Sequence, residues 1–426
     1  MIDIKLIREE SKKVKSNYKK RNNPELLKKI DDILNLDKKN RKLQYDLDQL
    51  RHGRNEISRE IAKFKQEKKD VSKLLKKANS IPSQIEKKEQ EKKKINEEVN
   101  GILQRLPNIL HESVPIGKDE NDNVPAGVFG KKPKIKGAKS HIDIINELNL
   151  VDMDRAAKIS GSRFYFLKGD LVLLDMALQA YAVDFMQKNG FLPVSPPYMM
   201  RKMPYQGVTD MQDFENVMYK IEGEDLYLIA TSEHPLTAMF MDEILEEKDL
   251  PIKLAGISPC FRKEAGSHGR DTKGIFRVHH FNKIEQIVVC KPEDSWKHFD
   301  VILKNAVQFF ESLGLHGRIM NICTGDIGVV AAKKIDIDIW MPAQQEYREL
   351  VSCSNCTDYQ ARSLKIRYRT PEKNAFAHTL NSTCVATSRA LVAILENFYD
   401  DNKKEVTIPK VLVKYMNGKT KLTKYG

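Results

Sequence analysis

The chain has 426 residues, of which 41 % are hydrophobic and 31 % charged, with six cysteines and a formal net charge of +13. That length exceeds one ordinary domain and predicts two or three. Six cysteines do not make a disulfide scaffold, and no run of about 18 apolar residues occurs, so a membrane-spanning helix is excluded. The start, MIDIKLIREESKK, carries Asp3, Glu9 and Glu10 and lacks the apolar core of a secretory signal, so a cytoplasmic location is expected. The charge is uneven. Residues 1–110 hold 30 Lys+Arg and 18 Asp+Glu, a net of +12, whereas residues 111–426 hold 42 and 41, a net of +1. A basic quarter on a neutral body points to a polyanion partner for the first part, nucleic acid before membrane.

In the basic quarter Leu43, Leu47, Leu50, Ile57, Ile61 and Phe64 recur in alternating steps of four and three, with Arg54 filling the one gap. This is a heptad seam. A second seam runs Val71, Leu74, Ala78, Ile81, Ile85, Lys88, Lys92, Ile95, Val99, Ile102 and Leu106, two lysines intruding. Between them Asp70 is a candidate N-cap. The pattern predicts a projecting antiparallel two-helix hairpin, roughly 35–40 residues per arm and on the order of 50–60 Å long. Pro82 lies inside the second seam and predicts a kink or break there. An alternative turn at Asn79–Pro82 shortens the second helix. Lys63, Lys65, Lys73, Lys76, Lys87 and Lys93 crowd the outer faces. Interleaved acids fit a merely solvated surface, but the positive surplus suits a phosphate backbone, and a rod reads duplex RNA by shape. Residues 1–110 are therefore expected to be a helical arm and 111–426 the body.

Residues 113–139 are rich in Gly, Pro, Asn and Asp and read as a loop. Leu171, Leu174, Leu178, Tyr181 and Phe185 mark an amphipathic helix ended by Asn189-Gly190. Ile335, Ile337 and Ile339 alternate with Asp336 and Asp338, a half-buried strand. Strands and helices without regular βαβ spacing favour an α+β domain with an antiparallel sheet. In residues 260–285, CFRKEAGSHGRDTKGIFRVHHFNKIE, Arg262 and Glu264 share one strand face, and a second strand carries Arg277, Val278, Phe281 and Glu285. Two arginines, two carboxylates and an aromatic on one side suit a phosphate or carboxylate ligand, and the bland alternative is a surface hairpin with ordinary ion pairs.

The FRKE…GIFRVHHFNKIEQ segment resembles motif 2 of class II aminoacyl-tRNA synthetases in the seryl-tRNA synthetase form. NGFLPVSPP resembles motif 1, with Pro197 in the motif position at a dimer interface, and NSTCVATSRALVAILEN resembles motif 3, with Arg389 as its arginine. TSEHP (Thr231–Pro235) resembles the family's serine-binding motif, and EYRELVSCSNCTDYQAR its segment for ATP phosphates and magnesium. The resemblance covers nearly the whole chain, and motifs 2 and 3 lean toward the eukaryotic cytosolic branch. It implies a class II antiparallel catalytic domain with an N-terminal tRNA-binding arm. It also implies a homodimer that activates L-serine with ATP and Mg²⁺ and charges tRNA(Ser), and tRNA(Sec) where present. Arg262 would bridge the serine carboxylate and α-phosphate, Glu264 face adenine, Phe281 stack on it, and Arg389 take the γ-phosphate. Lys263, Arg277, Val278, Leu350 and Val351 complete the implied ATP site, and Glu349 with Ser352 the magnesium ligands. Thr231, Glu233, Glu285, Asn381 and Thr383 would form the serine pocket, with the division of hydroxyl and ammonium between Glu233 and Glu285 left open and Glu285 with Thr383 favoured for the hydroxyl. Motif 3 is poor in glycine here, and Ser363 stands where the family usually has a second arginine.

Cys353-x-x-Cys356 has no second ligand pair, so no zinc is expected. His279-His280 reads as packing, His268 in the GSHGR loop as the better functional candidate, and Met199, Met200, Met203, Met211 and Met218 as packing. Two other readings stand beside catalysis with serine. One is a synthetase-like paralogue that only binds RNA, against which the intact Arg262, Glu264, Glu285, Glu349 and Arg389 count. The other is a ligase of the same class for threonine or proline, against which the long arm, the TSE motif and the short tail after Arg389 count.

Overall fold

In this computed structural model the described residues are 1–209, 217–264 and 273–425. The chain divides into two compact units, Ile2–Leu106 and Pro107–Gly426, the second including Met1. His268 and Met211 lie outside the described residues.

The first unit is helical. Two short helices, α1 (Ile4–Glu9) and α2 (Ser11–Lys19), precede α3 (Pro24–Gln66) and α4 (Ser72–Leu103). Pro24 opens α3 at the position where its missing N–H costs nothing, and the Asn23 side chain caps the Glu25 amide. Between α3 and α4 the chain turns through Lys68, at φ +56°, and Asp70 accepts from the Ser72 amide at 2.9 Å. The heptad reading meets one correction. Helix α4 continues through Pro82. Proline removes one intrahelical bond, but Ile81 and Ile85 on either side of it are buried against Leu47, and that packing keeps the helix whole. The intruding lysines also face the partner helix, for Lys88 pairs with Asp46 at 2.8 Å and Lys92 donates to Gln44. Arg51–Glu89 at 2.7 Å and Asn40–Asn96 at 2.8 Å lie in the same antiparallel register. Near the base of α3, Asp37 is buried under a fork from Arg8, with bonds of 2.8 and 2.7 Å, and a third bond from Arg41. Burial alone would raise its carboxyl, but the two arginines hold it below the usual range.

The second unit is built on an eight-stranded sheet. Its strands in chain order are β1 (Val124–Phe129), β2 (Leu192–Val194), β3 (Ile252–Phe261), β4 (His280–Cys290), β5 (Gly317–Asn321), β6 (Lys333–Met341), β7 (Glu346–Asn355) and β8 (His378–Ala386). Their spatial order is β1-β5-β6-β7-β8-β4-β3-β2, antiparallel throughout except for the parallel β2–β3 pair. The α+β antiparallel expectation thus holds. Strand β1 lies within the segment read as loop, with Pro125 and Gly127 flanking a register shift at the sheet edge, where proline is tolerated.

Helices Asp170–Lys188, Ser295–Ser312 and Thr387–Phe398 supply Leu171, Leu174, Leu178, Phe299, Ile302, Leu391 and Ile394 to one large core shared with Ile284, Val288, Ile337 and Ile339. The first of these ends at Asn189, followed by Gly190 at φ +79°. Strand β6 is buried on both faces, not one. Asp336 and Asp338 are 6 % and 7 % exposed and pair with Lys334 at 3.0 Å and Arg318 at 2.9 Å. The core also takes over the chain just before the predicted boundary. Leu110 and Val114 pack with Met320 and Ile322, and Asn108 donates to the Val330 and Cys356 carbonyls.

Asp37→Ala removes the buried carboxylate that accepts from both Arg8 and Arg41. We expect a loss of about 1–2 kcal/mol after allowance for their exposure. A lowered folded-state pKa means that this stability is present above the ordinary carboxylate range and fades as pH falls through the folded value. Denaturant unfolding of the wild type and variant followed between pH 7 and pH 3 checks both statements, the difference shrinking on acidification.

Candidate active site

A cleft of about 610 Å³ opens on the polar face of the central strands, lined by residues of β4, β6, β7 and β8, by Arg262 and Glu264 just beyond β3, and by neighbouring segments. Two single-residue bulges decide which side chains reach it. Along β7, Val351 pairs with Ile337 while Glu349 pairs with Asp338, so Leu350 is the extra residue. Without it Glu349 and Ser352, three apart, would point to opposite faces. With it both line the cleft together with Ser354, while Val351 stays in the core. In β8 the register shifts between Thr383 and Val385, and Cys384 is the extra residue. Asn381 and Thr383 therefore share the cleft face with Ala386, Ser388 and Arg389.

Strand β3 ends at Phe261, so Arg262 and Glu264 lie just beyond it rather than on one strand face. The pairing still reaches Arg262, whose amide bonds to the His279 carbonyl at 2.9 Å. Glu264 then turns into the left-handed region at φ +49°. This turn brings its carboxylate to Arg277, 3.0 Å away. Arg262 Nε donates to the Ala230 carbonyl at 3.2 Å, and its guanidinium lies 5.4 Å from the Phe281 ring centre. Arg389 is anchored by the Glu349 carbonyl at 2.8 Å and packs over Phe276, which Arg348 also faces. The Glu349 side chain is 46 % exposed, and Arg389 and Lys334 hold its carboxyl below the usual range against the effect of burial.

At the other end Glu285 is 1 % exposed and saturated with donors. Its Oε2 meets Lys283 at 2.6 Å and the Thr383 hydroxyl at 3.0 Å, and its Oε1 accepts from Asn381 at 3.4 Å. Glu233 differs. Burial and the neighbouring Glu285 push it up to about 7, and its partner is the neutral amide of Gln360 at 3.1 Å. The adjacent His234 is pushed down to about 3 by burial and so stays neutral.

The cleft thus gathers Thr231, Glu233, Arg262, Glu264, Arg277, Val278, Phe281, Glu285, Glu349, Leu350, Ser352, Asn381, Thr383 and Arg389. Two residues expected in the ATP site lie elsewhere, for Lys263 donates its amide to the Val217 carbonyl and Val351 is in the core. Pro197, expected at a dimer interface, is exposed in a separate segment. Of the CSNC pair, Cys353 faces the core and Cys356 the cleft. His279 bonds to the Arg262 carbonyl and the Tyr219 hydroxyl, and His280 stacks on Phe261. Lys283, Lys334, Phe276 and Gln360 are missing from the sequence reading. Lys283 was open to it, because it alternates with Glu285 on one strand and falls on the same face.

An antiparallel sheet with a bent row of arginines and carboxylates across its open face is the architecture of a class II aminoacyl-tRNA synthetase core. Residues 216–398 match the tRNA synthetase class II core domain (G, H, P, S and T), and residues 1–110 match the seryl-tRNA synthetase N-terminal domain. A serine–tRNA ligase of Methanocella arvoryzae is 54 % identical over 422 residues, 98 % of this chain and 99 % of that one. The crystal structure of seryl-tRNA synthetase from Pyrococcus horikoshii complexed with ATP superposes with a TM-score of 0.96 at 48 % identity, each chain covered fully. The cytoplasmic enzyme of Naegleria fowleri in complex with AMP superposes with a TM-score of 0.89 at 38 % identity, covering 100 % of this chain and 99 % of that one. The chain belongs to the seryl-tRNA synthetase family.

The Lys283–Glu285 pair is buried on both sides, so removing one partner strands the other charge. Lys283→Met is expected to cost on the order of 3 kcal/mol. The double variant with Glu285→Gln should recover part of that loss, and a denaturant double-mutant cycle measures the coupling.

Proposed function

We propose that this chain is a serine–tRNA ligase that activates L-serine with ATP to seryl-adenylate and then transfers the seryl group to the 3′ end of tRNA(Ser), and of tRNA(Sec) where present. The observation that carries the reading is one cleft that holds two unlike carboxylates, Glu233 and Glu285, and Arg389, with Arg262 close enough to act electrostatically on both Glu233 and Arg389 and in contact with Phe281. In the first step a serine carboxylate oxygen attacks the α-phosphorus in line, an O–P bond forms, the bond to the β-phosphate bridge breaks, and diphosphate leaves with its electron pair. No protein nucleophile is required, so catalysis is positioning and charge stabilisation.

In this reading Arg262, its Nε tied to Ala230, holds the serine carboxylate and α-phosphate together, a task that needs the planar fork. Phe281 stacks on adenine, Glu264 with Arg277 frames it, and Val278 and Leu350 line it. Arg389 takes the γ-phosphate. Thr231, Glu233, Glu285, Asn381 and Thr383 bind serine. A pocket built to bond the hydroxyl rejects analogues that lack it, because each stranded polar group costs about 1–3 kcal/mol.

Glu349 and Ser352 offer hard oxygen donors on one face, which fits Mg²⁺. No group of three or more acidic, histidine or cysteine ligands occurs among the described residues, so phosphate oxygens and water would complete its shell. When bound, the ion would neutralise charge on the phosphates.

We assign tRNA binding to the basic hairpin, supported by its charge and by the seryl-tRNA synthetase N-terminal match. Homodimerisation through the Pro197 segment is supported by the exposed apolar Leu192, Tyr198 and Met199 around it. No helix among the described residues is long and apolar enough to cross a membrane, and a cytoplasmic site fits that. The eukaryotic leaning of motifs 2 and 3 is proposed for those motifs alone, since the archaeal relative stands at 54 % identity and the Naegleria structure at 38 %.

The purified protein should catalyse ATP–diphosphate exchange with serine and without tRNA, and exchange with another amino acid in place of serine would overturn the assignment. Arg262→Ala should abolish exchange. Replacing residues 41–95 by a short glycine linker should spare exchange and abolish charging, and equal loss of both would refute a separate role for the hairpin.

A further inference from the structure

Gln360 lies in the helix Tyr359–Leu364 and is 1 % exposed, as is Thr379. Its Nε2 donates to Glu233 Oε1 at 3.1 Å and to the Val208 carbonyl at 3.0 Å, while its Oε1 accepts from the Thr379 hydroxyl at 2.6 Å. The amide can be oriented in one way only. Both the carbonyl and the carboxylate are acceptors, so the NH₂ end must face them and the oxygen must face the hydroxyl. Thr379 is itself pinned, its amide bonded to the Thr357 carbonyl and its carbonyl to the Cys356 amide.

A neutral donor does what a cation could not. It fixes the carboxylate without cancelling its charge. The nearest buried cation, Lys283, is committed to Glu285 at 2.6 Å. Glu233 is thus the carboxylate whose orientation is set and whose charge is left for a ligand.

We propose that Gln360, oriented by Thr379, is a positioning residue that holds Glu233 for the ammonium group of the substrate amino acid. This rests on the serine-pocket reading above. Glu233 faces Glu285 and Lys283 on β4, Arg262 beyond β3 and the Cys356 thiol beyond β7. Burial and Glu285 push it up to about 7, and Lys283 and the Gln360 bond act against them. The ammonium needs the ionised form, so kcat/KM for serine should fall as pH drops below about 7. Loss of a donor to the charged form raises the pKa further, so the fall should move to higher pH.

Serine-dependent ATP–diphosphate exchange by the full-length protein, measured from pH 6 to pH 9, tests this. Gln360→Met keeps the volume and removes both donors. It should raise KM for serine about tenfold, the effect of losing one bond to a charged group, leave KM for ATP within about twofold, and shift the acid limb upward. Thr379→Val should act in the same direction and carries the test should Gln360→Met not fold, while Thr379→Ser should restore wild-type values. Equal rises in both KM values, an unchanged serine KM or an unmoved acid limb would overturn the proposal. No serine-dependent exchange by the wild type would instead overturn the serine reading on which it rests.

Discussion

Two carboxylates, Glu233 and Glu285, face one small cleft, and burial together with the charge of Glu285 raises the pKa of Glu233. Much of the site is a response to that constraint. Glu285 is neutralised by a buried lysine and filled with donors, which makes it a fixed, polar wall. Glu233 accepts from a neutral amide and has no direct ion pair among the described residues, which leaves its charge less compensated than that of Glu285. The asymmetry gives a small zwitterion two different ends to meet. A cation suits Glu233, and a hydroxyl can exchange bonds with the Glu285–Thr383 pair.

The sheet makes this arrangement possible through register. Strand β4 lies between β3 and β8 and carries Phe281, Lys283 and Glu285 on one face at period two. The bulges at Leu350 and Cys384 then rotate the rest of β7 and β8 so that residues three apart share that face. Each bulge costs some ladder bonding, and each brings a second residue onto the cleft face, Ser352 beside Glu349 and Ala386 beside Thr383.

How much of this could be read in advance depends on the range of the interaction. The hairpin was legible because heptad spacing is local, and so was the helix at Leu171–Phe185. Pro82 misled because its local penalty is outweighed by Ile81 and Ile85 packing on Leu47 of the other helix. Strand β1 was hidden by its Pro125 and Gly127, which only a sheet edge accommodates. Arg262, Glu264, Arg277, Val278, Phe281 and Glu285 were grouped by strand spacing, and the other cleft residues were reached through resemblance to a family. The neutral amide of Gln360 and the bulge at Cys384 depend on partners far away in the chain, Gln360 and Glu233 at a separation of 127 and Thr383 and Glu285 at 98, while the bulge at Leu350 is set by register against the neighbouring strand β6. The charge split remains informative. A body of net +1 concentrates a few charges on small ligands, and a hairpin-bearing quarter of net +12 suits a long polyanion.

The most direct measurement of the central claim is a crystal structure with a non-hydrolysable sulfamoyl analogue of seryl-adenylate. The account predicts the analogue's ammonium within hydrogen-bond distance of Glu233, its hydroxyl at Glu285 and Thr383, its sulfamoyl group at Arg262 and its adenine on Phe281. An ammonium seated on Glu285 with Glu233 unengaged, or an analogue bound outside this cleft, would contradict it.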